Sequence, residues 1–183
     1  MADQPDEYDV VLLVEQPLTP QDARQVRSLH EGLDGPVTYH VLLPVDDAAA
    51  RVEASLGSLS GSELLAAPHV PIDPVDLHEV SADLRERATT DLAATVAALE
   101  TAGATVGSSA LVTGSPVDEL TATVQRVDGR EAIVLTAPHV VAELFRLDWS
   151  SQARRKLDVP VLHLLEHETF DEQAAGPDGI SGA

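Results

Sequence analysis

Short, continuous apolar runs alternate with segments of helical spacing along most of the chain, and this alternation limits the fold more than any other feature. The runs occupy residues 9–15, 37–45, 106–112, 131–136 and 159–165. Such a run, rich in Val and Leu, is typical of a strand buried on both faces of a parallel sheet. Five such strands joined through helices predict an α/β fold, a doubly wound five-stranded parallel sheet flanked by helices.

Capping residues predict where the helices begin. Thr19 is a favourable N-cap with Pro20 at the first helical position, and Ser81 is the predicted cap of a long second helix that follows a proline-rich, extended stretch ending at Pro74. The four main helices are therefore expected to begin at Pro20, to cover residues 82–102 and 116–127, and to fill the interval between the last two strands.

Composition excludes several classes of protein. The chain has 183 residues, no cysteine and a net charge of −20, so disulfides and thiolate sites are excluded and nucleic-acid phosphates would be repelled. No apolar run approaches the roughly 20 residues that span a bilayer. The acidic start predicts a cytoplasmic protein with no membrane partner. We expect a flexible N-terminus over residues 1–7, one α/β domain over 8–166 and a disordered tail over 167–183.

Motifs for common enzyme chemistry are missing from the sequence. It contains no Gly-x-Ser-x-Gly elbow, Walker loop or zinc-hydrolase helix. His163 and His167 are four residues apart in a predicted strand, which is the wrong spacing for a metal site. A phosphorylation receiver domain would need an acidic pair after the first strand and an Asp after the third, where Thr113 and Gly114 stand. We therefore expect no catalysis, with slow ATP hydrolysis as the upper limit.

Several local features, in order, carry a resemblance to a known family. The first strand ends in Glu15, a long segment separates the second strand from the second helix, and the stretch Val112-Thr113-Gly114-Ser115-Pro116 precedes the third helix. With a Val-Pro-Val-Leu stretch in the final strand, the chain resembles the universal stress protein family from Tyr8 to Leu165. The resemblance implies strand order 3-2-1-4-5 and a homodimer formed through the final strand, from Val159 through Leu165.

The nucleotide signature of that family is degenerate here. ATP-binding members carry Gly-x-x-Gly, nine residues, and then Gly-Ser or Gly-Thr after the fourth strand. Counting from Thr136 gives Thr136, His139, Trp149 and Ser150, so the three glycines are absent and the final hydroxyl is kept. Counting back from Pro160 instead places Asp148 near the Ser position, and the sequence leaves both registers open.

The substituted loop changes the expected function. Glycines would let backbone N–H groups approach phosphate oxygens, whereas Pro138 has no N–H and Trp149 adds bulk that we expect to serve packing. We predict a non-catalytic homodimer that does not bind ATP tightly, needs no cofactor and acts in stress response or regulation through protein contacts. The alternative is a module that binds ATP, AMP or a similar small ligand with an altered phosphate loop. Ligands of such sheets sit at the carboxyl ends of the strands, so the candidate binding residues are Val14, Glu15, Pro44, Val45, Gly114, Thr136, His139 and Ser150.

Overall fold

Five parallel strands form the centre of the protein. The computed structural model describes residues 7–45, 74–136 and 143–165. The strands are β1 (Tyr8–Val14), β2 (Val37–Pro44), β3 (Thr105–Val112), β4 (Glu131–Thr136) and β5 (Val161–Leu165), and the helices are α1 (Pro20–Ser28), α2 (Pro74–Thr101), α3 (Pro116–Val127) and α4 (Glu143–Lys156). The sheet order is β3-β2-β1-β4-β5 with every pair parallel. The predicted doubly wound sheet and its strand order are confirmed.

Alternation along the strands builds two separate cores, one on each face of the sheet. In β1, Val10 and Leu12 pack on one face while Val11 and Leu13 pack on the other, and all four are fully buried. The first core is closed by α1 and α2, and the second by α3 and α4. Full burial of one such side chain stabilises a fold by about 1.5–3 kcal/mol. The central strand is therefore apolar from Val10 to Val14, because it serves both cores.

The helix ends follow their local sequence with one exception. The Thr19 hydroxyl accepts from the Asp22 backbone N–H at 3.2 Å, and the Asp22 carboxylate accepts from the Thr19 N–H at 2.9 Å, which completes a capping box. The predicted start of α2 is wrong: the helix begins at Pro74 and Ser81 lies inside it. Proline is compatible with the first turn of a helix because the N–H it lacks would have no intrahelical partner there.

The remaining boundaries differ little from the predicted ones. β1 ends at Val14, β2 at Pro44, and β5 begins at Val161 rather than at Val159. Gly103, with φ +84°, ends α2 in the left-handed conformation that a side chain disfavours. Residues 1–6 of the expected flexible start, the proline-rich stretch before Pro74, His139 and the predicted tail lie outside the described residues.

Candidate functional site

The carboxyl ends of β1, β2 and β4 lie side by side, as the strand order requires. Val14 is in register with Leu135, and the backbone N–H of Glu15 donates to the Leu135 carbonyl at 3.1 Å. On the other side, the N–H of Val45 donates to the Val112 carbonyl at 2.8 Å. The chain reverses its winding direction between β1 and β4, which is where ligands of open parallel sheets bind. We refer to this region as the carboxyl edge.

Two buried hydroxyl side chains among the candidate residues have different surroundings. Thr136, at the carboxyl edge, is buried, and its Oγ1 lies 2.8 Å from His163 Nε2 on the neighbouring strand. Ser150, within α4, is also buried, but its Oγ has no hydrogen-bond partner among the described residues. A buried hydroxyl without a partner costs about 1–3 kcal/mol of stability. Of these two hydroxyls, only that of Ser150 would gain a hydrogen bond from a bound group.

The helix that begins at the carboxyl edge carries its own negative charge. Ser115 caps α3, and Asp118 and Glu119 lie in its first turn. A hydrogen bond from the Lys156 ammonium, then one from the Ser115 hydroxyl and the charge of Lys156, lower the pKa of Asp118. Carboxylates in the first turn already interact with the positive end of the helix dipole. A bound phosphate at this helix would compete with Asp118 and Glu119, which are themselves paired with Lys156 and Arg126.

The predicted binding residues divide into three groups. Val14 and Thr136 are buried strand residues, and Ser150 is a buried residue of α4. Glu15, Pro44 and Val45 are half-buried and Gly114 is exposed. His139 lies outside the described residues. Trp149, the neighbour of Ser150, is half-buried and packs on the second core, as expected for a packing residue.

Sequence reasoning missed a polar network on the first face of the sheet. His30 Nε2 lies 3.1 Å from Glu131 Oε2, and His30 Nδ1 lies 2.9 Å from the Tyr39 hydroxyl. Tyr8 also donates to Glu131 Oε2, at 3.3 Å. Tyr39 is fully buried, and burial raises its pKa to about 12, so its hydroxyl stays protonated and donates. We call these four residues the His30 cluster.

A second network, also missed, lies on the opposite face. His40 Nε2 lies 2.8 Å from Asp9 Oδ1, and His40 Nδ1 lies 2.7 Å from Ser108 Oγ. Asp9, His40 and Ser108 belong to the three adjacent strands β1, β2 and β3. We call these three residues the His40 cluster. A polar residue in the middle of the apolar run 37–45 was the signal for it, because a buried imidazole requires partners.

A bulge in β3 positions Ser108 opposite His40. The register passes from Tyr39↔Val106 to His40↔Ser108, so Gly107 is the extra residue. A Cβ at position 107 would lie 2.6 Å from Thr38 Cγ2 and 2.9 Å from His40 Cε1. The position therefore accepts only glycine without displacement of the ring. Bulges of this kind re-aim side chains and occur next to active sites.

The described parts of the chain offer no ready metal centre or membrane span. Among those residues, no group of three or more His, Asp or Glu side chains is arranged to hold a metal ion. None of the helices within the described ranges is both long and apolar enough to cross a membrane. His163, one of the two histidines considered in the sequence, bonds to Thr136 instead.

Comparison with solved structures identifies the fold. The protein MJ0577, whose biochemical function was assigned from its structure, matches with a TM-score of 0.57 at 16% identity, over 88% of this chain and 99% of that chain. UspA of Lactobacillus plantarum, a universal stress protein, matches with a TM-score of 0.54 at 12% identity, over 86% of this chain and 98% of its own.

A third structure was solved with a nucleotide. It is a universal stress protein family protein from Arabidopsis thaliana with AMP bound, which matches with a TM-score of 0.50 at 12% identity, over 94% of this chain and 99% of that chain. No protein-family model and no curated protein matches the sequence. The resemblance predicted from the sequence is confirmed for the fold, which is that of the universal stress proteins.

Proposed function

We propose that this chain is a universal stress protein-like homodimer that acts in stress response or regulation through protein contacts, without catalysis at the carboxyl edge and without tight binding of ATP. The observation that carries the proposal is the combination of a complete stress-protein sheet with an acidic and proline-containing carboxyl edge. The strand order and fold are those of solved universal stress proteins. Counted from Thr136, the three glycines of the family signature are absent from the sequence.

The charge of the carboxyl edge supports weak binding of polyphosphates. Glu15 follows β1 at the rim, and Asp118 and Glu119 open α3. Asp118 and Glu119 are paired with Lys156 and Arg126, and the loop 137–142 supplies no further Lys or Arg for a phosphate. Like charges a few ångströms apart destabilise a complex by an amount that grows as water is excluded. A γ-phosphate would therefore meet repulsion where family members with the glycine signature supply backbone N–H groups.

One observation favours the alternative, a small-ligand module that takes AMP or a similar compound. The Ser150 hydroxyl is buried and unpartnered, and it stands at the position of the signature hydroxyl in one of the two registers. The Arabidopsis family protein of the same fold has AMP bound. A monophosphate carries less charge than ATP and would meet less repulsion at the same edge.

Thermal denaturation with added nucleotides separates the two functions. A ligand at about 100 times its Kd stabilises a protein by about 2.7 kcal/mol. We expect no change in melting temperature with millimolar ATP, AMP or cyclic AMP. A shift with AMP that disappears in Ser150→Ala would establish the alternative, and a shift with ATP would overturn the proposal.

The homodimer has its own support and its own test. β5 is the last strand of the described sheet, and four of its five residues are only half-buried. A strand at the edge of a sheet is the position at which a second copy of the chain can add its own strand. We expect light scattering on the full chain to give twice the chain mass, most readily at high salt, because each copy carries a charge of −20. A monomer at every salt concentration would remove the dimer from the proposal.

A further inference from the structure

The His40 cluster joins a hydroxyl, an imidazole and a carboxylate in one hydrogen-bonded line across three strands. The distances are 2.7 Å from Ser108 Oγ to His40 Nδ1 and 2.8 Å from His40 Nε2 to Asp9 Oδ1. Both are short for hydrogen bonds that involve nitrogen. The line begins on β3, at the edge of the sheet, and ends near the start of β1.

The chemistry of the three groups fixes the direction of the protons. A carboxylate only accepts hydrogen bonds, so in the neutral tautomer that satisfies both partners the imidazole hydrogen is on Nε2, which donates to Asp9. The lone pair of His40 Nδ1 then accepts from the Ser108 hydroxyl. This arrangement aims a basic nitrogen at the hydroxyl proton, and the carboxylate stabilises the imidazolium that forms when the proton transfers.

The surroundings shield the base and expose the nucleophile. The side chains of His40 and Asp9 are 10% and 17% exposed. Ser108 is exposed, on the edge strand, directly after the Gly107 bulge. An imidazole held by two partners in a nearly dry site keeps its orientation, while the hydroxyl stays open to a reagent from solution.

We propose that Ser108 is an activated nucleophile that accepts an acyl group from small activated esters or mixed anhydrides. Ser108 Oγ forms a bond to the acyl carbon, and the bond from that carbon to the leaving oxygen breaks. The hydroxyl proton passes to His40 Nδ1 and from there to the departing oxygen. The product is an acyl-serine and a free alcohol or acid, and no oxidant, metal or further reactant is required.

This self-acylation goes beyond the protein-contact function proposed above. His40 acts on the reacting proton, whereas Asp9 positions His40 and does not meet the acyl donor. A positioned base accelerates such a step by about 10²–10⁴-fold. Each chain would be acylated once, on Ser108, and the carboxyl edge would take no part in the reaction.

The test uses the full chain and 4-nitrophenyl acetate, with the modified residue located by peptide mass spectrometry. Ser109 provides a matched control, because it is an exposed serine on the same strand. We expect one acetyl group on Ser108, no labelling in Ser108→Ala, and unchanged labelling of Ser108 in Ser109→Ala. His40→Gln should slow the labelling of Ser108 about 100-fold or more.

A second measurement separates positioning by Asp9 from a loss of folding. Asp9→Asn should slow the labelling and also shift the proton resonance of the His40 Nε2–H, which a general loss of stability would not move selectively. If His40→Gln does not fold, the Asp9→Asn and Ser108→Ala results decide the question alone. Equal labelling of Ser108 and Ser109, or no labelling of Ser108, would show that the His40 cluster only ties three strands together.

Discussion

Buried histidines in the amino half of the sheet have hydrogen-bond partners at both ring nitrogens, whereas one of the two buried hydroxyls among the candidate site residues has none in the described part of the chain. In the amino half, His30 and His40 lie on opposite faces, and each holds a carboxylate at Nε2 and a hydroxyl at Nδ1. At the carboxyl edge, where sheets of this kind bind ligands, Thr136 bonds to His163, and within α4 the buried Ser150 hydroxyl has no partner among the described residues. The two larger polar networks of the described residues therefore lie away from the usual ligand site.

This difference separates two uses of buried polar groups. A satisfied network fixes the geometry of the strands that it joins and has already offset its desolvation cost. An unsatisfied hydroxyl retains that cost and can recover it only by binding something or by being removed. The comparison therefore predicts large losses of stability when a member of a satisfied network is removed, and a small or opposite effect when the Ser150 hydroxyl is removed.

The largest expected effect comes from removing the carboxylate of the His30 cluster. Glu131→Ala leaves the imidazole of His30 and the hydroxyl of Tyr8 without their shared acceptor. Because both donors lose a charged partner, we expect the free energy of unfolding in urea to fall by about 3 kcal/mol. Glu119→Ala is the control, since that carboxylate is exposed and 3.9 Å from Arg126. If Glu131→Ala and Glu119→Ala lower the free energy of unfolding by similar amounts, the His30 cluster contributes no special stability.

Alkaline pH tests the same cluster through Tyr39. Burial of the hydroxyl raises the pKa of Tyr39 in the folded protein to about 12, from an ordinary value of 10.0. A raised pKa contributes stability that is complete below pH 10 and is lost as the pH rises through about 12. We expect unfolding measurements to show a loss of about 2 kcal/mol between pH 10 and pH 12. In Tyr39→Phe this part of the loss should be absent, and an equal loss would contradict the assignment.

A smaller effect, of opposite sign, is expected at the carboxyl edge. Ser150→Ala removes a buried hydroxyl that has no partner, so we expect unfolding free energy to stay the same or rise by up to about 1 kcal/mol. Thr136→Val is the matched comparison, because it removes a hydroxyl that bonds to His163. A loss of stability in Ser150→Ala as large as in Thr136→Val would show that Ser150 has a partner in solution.

The smallest effect should come from the ion pair between α3 and α4. Lys156 lowers the pKa of Asp118, so the pair stabilises the fold above the ordinary carboxyl pKa, and its contribution is lost as the pH falls through the lowered value. Both side chains are exposed, and salt screens such pairs. We expect Lys156→Ala to change thermal stability slightly near pH 7 and not at all once the pH lies below the lowered pKa of Asp118. A difference that persists at acidic pH would require another role for Lys156.

The fold was predictable because each strand carries its own signature. The continuous apolar runs follow from burial on both faces, and the limits of β4 and α3 agree with their sequence signals to the residue. The start of α2 was not predictable by the same rules. Ser81 is a good cap in isolation, but a long helix can begin earlier wherever a proline is compatible with the first turn, as at Pro74.

From the sequence, candidate site residues could be proposed only in the loop that aligns with the family's nucleotide signature. The degenerate loop after β4 could be read from spacing alone, and it led to Thr136 and Ser150. The His40 cluster could not be found in this way, because Asp9, His40 and Ser108 are brought together by pairing of strands distant in sequence. The bulge that makes Ser108 face His40 has no reliable sequence pattern beyond a glycine in a strand.

Gly107 sets a limit on how this protein can be engineered. A glycine within a strand is normally the first residue that a designer replaces to gain stability, since a β-branched residue there restricts the unfolded chain and fills the sheet. At this position the first added carbon would fall 2.6 Å from a methyl group of Thr38 and 2.9 Å from the imidazole of His40. Replacing Gly107 with a residue that has a side chain would push the His40 ring away from Ser108. The space beside that ring must therefore stay empty for the hydrogen bond to form.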